Sequence, residues 1–107
     1  MSPVHEARVT IRNKLGLHAR PAAQFVKLSS SFPCEVLLGR DDVEVNGKSI
    51  MGVMMLAAEQ GATVTIRTMG PDGEAALREL VALVERGFDE DDEGRPMGRT
   101  GVSRARG

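Results

Sequence analysis

The residues best suited to chemistry lie in one short run, Gly16-Leu17-His18-Ala19-Arg20-Pro21-Ala22-Ala23. Gly16 can supply a backbone dihedral that other residues avoid, where an extended segment hands over to a helix. Pro21 fits the first helical turn, where its missing N–H forfeits no hydrogen bond. His18 then stands at or beside the helix N-cap, close to backbone N–H groups that have no intrahelical acceptor. Those amides and the positive end of the helix dipole favour an anion beside the imidazole. Arg20 adds a permanent positive charge with planar donors that match phosphate oxygens. With an ordinary pKa of about 6.5, an imidazole is substantially unprotonated at neutral pH and is a competent nucleophile. The chemistry on offer is a phosphoryl group carried covalently on His18. Residue type and spacing also allow a plainer arrangement, a capping histidine followed by a solvated arginine.

A second run, Asn46-Gly47-Lys48-Ser49-Ile50-Met51-Gly52, pairs a turn signal with a preferred N-cap. Ser49 opens a short helix in this reading, and capping alone accounts for it. A hydroxyl at a helix start is also a place where an added phosphate is tolerated, with Lys48 alongside. Ile50, Val53, Met54 and Ala57 have the spacing of a buried stripe, while Met51 lies off it and is expected on the surface. Exposed thioethers suit docking to several partners, although methionines also fill gaps in cores. One cysteine, Cys34, and two histidines make neither an internal disulfide nor a convincing zinc site. No metal and no cofactor are expected.

These runs need elements to hold them. Residues 7–12 and 62–67 alternate apolar and polar side chains, the period of half-buried strands. A strand over 34–38 and a short one over 43–45 are joined by a turn at Gly39-Arg40-Asp41-Asp42. Helices are predicted over 19–29, after Ser49, and after the Gly70-Pro71-Asp72-Gly73 turn, where Leu77, Leu80, Val81, Val84 and Phe88 form a stripe. The order β-α-β-β-α-β-α predicts an α+β fold: a two-layer sandwich with three helices on one face of a four-stranded, mostly antiparallel sheet. Arg8, Thr10, Arg12, Thr63, Thr65 and Arg67 suit the open face.

Composition limits the choice of function. The chain has 107 residues, enough for one domain. Its 14 basic against 15 acidic residues provide no overall field for nucleic acid. Three Phe with no Tyr or Trp offer no stacking platform for single strands, so no nucleic-acid partner is expected. No apolar stretch reaches the roughly 20 residues of a membrane span, and no signal-peptide segment opens the chain, so no membrane insertion and a cytoplasmic location are expected. Residues 1–88 are read as the domain. Residues 89–107, with five acids and then four arginines among glycines, are read as a charged, disordered tail.

The two runs together, Gly16 to Ala22 and Asn46 to Met54, resemble the HPr family, the histidine-containing phosphocarriers of the bacterial phosphoenolpyruvate-dependent phosphotransferase system, and their nitrogen-branch relatives (NPr). The resemblance covers residues 4–88, in the same element order. It implies a monomeric open-faced β-sandwich that is a carrier rather than a turnover enzyme. His18 would accept a phosphoryl group on Nδ1 from the phosphohistidine of enzyme I and pass it to a histidine of an EIIA-type domain, with Arg20 stabilising the phosphate. It further implies a regulatory phosphorylation site at Ser49, served by an HPr kinase/phosphorylase, and a partner-docking face to which Leu17, Ile50, Met51 and Met54 are assigned.

Two departures stand out. Leu15 occupies a position where many sugar-branch carriers have a small polar residue, and the segment after Phe88 runs past the usual family end. Two other readings follow from the same residues: a nitrogen-branch regulatory relay unconnected with sugar uptake, and a binding module acting through phospho-Ser49 with His18 idle. The presence of both His18 and Arg20 argues against the second, because a pure co-regulator needs neither.

Overall fold

Apolar residues at every second position build the sheet of the computed structural model, which describes residues 3–90. The strands are β1 (Val4–Thr10), β2 (Glu35–Arg40), β3 (Val43–Asn46) and β4 (Thr63–Met69), in the spatial order β1-β4-β2-β3 with every pairing antiparallel. Val9 pairs with Val64 and Leu38 with Ile66, which brings these side chains together on one buried face. Helices α1 (Ala19–Ser30), α2 (Ile50–Met55) and α3 (Gly73–Glu85) supply the second layer. Phe25 from α1, Val53 from α2, and Ala76, Leu80, Leu83 and Val84 from α3 close the core against the sheet. On the open face, Arg67 lies 2.9 Å from Glu44 and 3.5 Å from its cross-strand neighbour Glu6. The sheet is therefore covered on one side only, as its alternation demands.

Several boundaries move from their sequence expectation. Strand β1 begins at Val4 and ends at Thr10. Ile11 and Arg12 fall outside it because Ile11 is tied to the 61–62 turn by bonds to Ala62 O and from Gly61 N, each 2.8 Å. The turn after β2 is tighter than expected: Gly39 and Arg40 stay in the strand, and Asp41 takes a left-handed φ of 54°. Helix α2 stops at Met55, and Ala57 has φ 50°, so the stripe expected from Ile50 to Ala57 reduces to Val53. Ile50, Met54 and Ala57 are exposed rather than core. A helix of six residues is too short to stand by its own propensity. It is held by Val53, by its cap, and by Arg40, whose Nη1 donates to the carbonyls of Leu56 and Ala57 at 3.3 and 2.9 Å.

At the far end, α3 stops at Glu85 and Phe88 is not part of its stripe. Phe88 is buried all the same, on a 3₁₀ turn (Gly87–Asp89) in which Gly87, Phe88 and Asp89 have φ of 67°, 58° and 61°. Glycine in the left-handed conformation followed by an apolar anchor is a common way to end a helix. Asp89 and Glu90, assigned from sequence to a disordered tail, are placed residues: Arg86 Nε bonds Asp89 at 3.0 and 3.1 Å. The remainder of the expected tail, 91–107, lies outside the described residues.

Candidate functional site

The loop between β1 and α1 is shaped by two backbone contacts. Gly16 N donates to Asn13 O at 3.1 Å, and Leu17 N donates to Ala58 O at 2.8 Å. The second bond pins the loop against the segment after α2. At Gly16, φ is +69°, and a Cβ there would sit 2.4 Å from Ala58 O, so the position needs glycine for both its dihedral and its lack of a side chain. That segment is fixed in turn by Arg40, which reaches the Glu59 carboxylate at 2.9 Å. A hydrogen bond from its own backbone, followed by the one from Arg40, holds the Glu59 carboxyl below the usual carboxylate range.

His18 is the N-cap of α1, with extended backbone, and its carbonyl accepts the first helical bond from Ala22 N at 3.0 Å. Its ring does not cap the helix. Nε2 instead meets Glu90, at 3.0 Å from Oε2 and 3.2 Å from Oε1, and the side chain is 35% exposed. Nδ1, the other ring nitrogen, makes no hydrogen bond among the described residues. Arg20 is exposed one residue into the helix, and its guanidinium has no ion pair among the described residues. Ala19 and Arg20 precede the first intrahelical bond, so their amides lack helical acceptors. An imidazole nitrogen without a hydrogen bond and a guanidinium without an ion pair, among the described residues, are thus gathered with a helix N-terminus within three residues.

Ser49 caps α2, its Oγ accepting from Gly52 N at 3.1 Å. Lys48 does not reach toward it, because its Nζ donates to Phe32 O at 2.7 Å. Of the four residues assigned to docking, Ile50, Met51 and Met54 are exposed on α2, which packs on α1. Leu17 is not available: its side chain belongs to the core, drawn in by the backbone bond to Ala58. Leu15 and Met55, each 72% exposed, are further exposed apolar side chains that the sequence reading did not assign to docking. Leu15 stands in a polar turn and Met55 at the last turn of a helix too short to show a face. Asn13 and Glu90 were also missed. Glu90 was hidden in an acidic run, and the Gly87-Phe88 pair was the only signal that the chain turns back there. Among the described residues no group of three or more His, Cys, Asp or Glu is placed to hold a metal, and no helix is long and apolar enough to cross a membrane.

A family model described as the PTS HPr component phosphorylation site matches residues 5–86, from the second residue of β1 to just past the end of α3. The chain belongs to the HPr family. Phosphocarrier protein HPr of Pseudomonas aeruginosa is 51% identical to this family member over 83 residues, covering 77% of this chain and 92% of that protein. Among solved structures, HPr from Thermoanaerobacter tengcongensis superposes with a TM-score of 0.78 at 45% identity, over 81% of this chain and 98% of that one. The Bacillus subtilis catabolite repression protein Crh, crystallised as a domain-swapped dimer, gives a TM-score of 0.64 at 46% identity, over 74% of this chain and 91% of that one. The chain is therefore a phosphocarrier-family protein, and the four-stranded antiparallel open sheet with three helices is the architecture of its structural relatives.

Proposed function

We propose that the chain is a cytoplasmic, monomeric phosphocarrier that accepts a phosphoryl group from the phosphohistidine of enzyme I onto Nδ1 of His18. It then hands that group to a histidine of an EIIA-type domain. The observation that carries this reading is an imidazole at a helix N-terminus whose Nδ1 makes no hydrogen bond among the described residues, with a guanidinium two residues on that has no ion pair among them. Transfer between imidazoles requires little covalent work from the protein; alignment and charge stabilisation dominate. Nδ1 attacks phosphorus as the donor's P–N bond breaks. The oxygens meet Arg20 and the amides at the start of α1. A half-exposed site of this kind holds the group weakly enough to release it, which a deep pocket would not.

Ser49 is the regulatory phosphorylation site in this account, a substrate for HPr kinase/phosphorylase. A phosphate there would add a charge of about −2 beside the exposed Ile50, Met51 and Met54, on the surface that docks partners. The carrier is consumed and regenerated by its partners and turns over no substrate of its own. Incubation with enzyme I and radiolabelled phosphoenolpyruvate tests the proposal. An acid-labile, base-stable label should appear on the chain and leave it when an EIIA-type domain is added. A chain that takes no label, or takes one stable to acid, contradicts the reading.

A further inference from the structure

The carboxylate of Glu90 lies against the ring nitrogen that the carrier reaction does not use. Both oxygens face Nε2 of His18, and Oε1 also accepts a 2.9 Å bond from Asn13 Nδ2. Asn13 is fully buried, and the same Nδ2 donates to Gly16 O at 2.7 Å, so one amide ties together the histidine loop and Glu90. This orientation leaves Asn13 Oδ1 buried without a partner among the described residues. A buried oxygen left unpaired is costly, and such costs are characteristic of functional sites. The chain also accepts three consecutive left-handed residues, two of them not glycine, to bring Glu90 back from the end of α3. Phe88 anchors that turn in the core, and the Glu90 side chain is only 18% exposed.

We infer that Glu90, itself aligned by Asn13, is a positioning residue for His18: it holds the proton on Nε2 and so presents the lone pair on Nδ1. A carboxylate accepts hydrogen bonds and donates none, so the proton of this contact belongs to the imidazole. Fixing one ring nitrogen determines the tautomer and the role of the other. The inference rests on the carrier reading above, and it makes the charge balance of the step explicit. The donor's phosphoimidazole, protonated on its second nitrogen, loses phosphorus as its P–N bond electrons return to the ring. The lone pair of Nδ1 forms the new N–P bond. Nε2 keeps its proton throughout, and the positive charge that develops on the His18 ring faces the Glu90 carboxylate. Onward transfer reverses these events, and no proton is lost or gained.

The test uses the full chain and two measurements. In the unphosphorylated protein, ¹⁵N NMR of the His18 ring should show Nε2 protonated and Nδ1 as the bare nitrogen, with Glu90→Ala moving the ring signals toward a mixture of tautomers. Glu90→Gln keeps an accepting oxygen and should stay closer to the wild type. In labelling by enzyme I, Glu90→Ala should slow phosphoryl acceptance about tenfold, the value of one hydrogen bond to a charged group. The KM for enzyme I should not change, since the Glu90 side chain is largely buried and offers a partner little surface. Wild-type ring signals together with a wild-type acceptance rate in Glu90→Ala would overturn the assignment while leaving the carrier reading intact. A wild-type chain that takes no label would instead defeat the carrier reading, and the ring signals of Glu90→Ala would then decide the role of Glu90 in holding the tautomer.

Discussion

Replacing Gly16 with alanine tests how the histidine loop is held. The dihedral of +69° costs an L-residue about 1–2 kcal/mol. The added methyl would lie 2.4 Å from Ala58 O and 2.9 Å from Glu59 Cα, both backbone atoms that cannot swing aside. Relief requires the loop to separate from the 58–59 segment, which breaks the 2.8 Å bond from Leu17 N to Ala58 O. Losing that buried bond costs about 1–3 kcal/mol, and the lower entropy of alanine in the unfolded chain returns about 0.4–1 kcal/mol. The net loss is about 1–5 kcal/mol, a large share of the ~5–15 kcal/mol that stabilises a domain. With a urea slope of about 2 kcal/mol per molar, the unfolding midpoint should fall by about 0.5–2.5 M. Gly61→Ala is the internal control: its φ is +91° but a Cβ there meets nothing within 4 Å, so it carries the dihedral cost alone. If the two variants unfold at the same urea concentration, the close approach of the loops plays no part and the reasoning fails.

Other perturbations reach different parts of the account. Phe88→Ala should destabilise the chain by about 3–5 kcal/mol in urea unfolding, because it empties a fully buried aromatic site; a loss below about 1 kcal/mol would mean that the turn beyond α3 is not anchored. Ser49→Asp should slow labelling by enzyme I through charge placed beside the apolar face of α2, and unchanged kinetics would remove Ser49 as a switch. Glu59→Gln should lower stability at neutral pH and leave it unchanged in acid. The folded chain holds this carboxyl low, so its contribution is present above the ordinary carboxylate pKa and lost as pH falls through the lowered one. A difference from the wild type that persists at the lowest pH would contradict that linkage.

The candidate phosphoryl site was proposed from the sequence alone because the residues that would carry its chemistry are local. Gly16, His18, Arg20 and Pro21 act within one turn of backbone, and a strand-to-helix junction puts them together without help from distant residues. The sheet was legible for a similar reason, since alternation over 62–67 survives any choice of partner strand. Helix α2 was harder to read. Its apolar residues fit a buried stripe by spacing, but the left-handed Ala57 ends the helix before a second turn can reach the core, and the surplus methionines remain on the surface. Leu17 shows the opposite difference: the family resemblance assigned it to the docking face, yet the chain buries its side chain where Leu17 N bonds Ala58 O. Glu90 is 72 residues from His18 and sits in a run of five acids whose pattern indicates solvent. Only the three left-handed residues before it explain its return, and backbone dihedrals of that kind leave almost no trace at Phe88 or Asp89.

The central claim is that one nitrogen of one residue carries the phosphoryl group. Labelling with enzyme I and phosphoenolpyruvate, followed by ¹⁵N and ³¹P NMR of the modified chain, reads that nitrogen directly, with His18→Ala run alongside. The account predicts phosphorus bonded to Nδ1 of His18 and no phosphohistidine in the variant. Phosphorus on Nε2, or a label that survives the loss of His18, would contradict it.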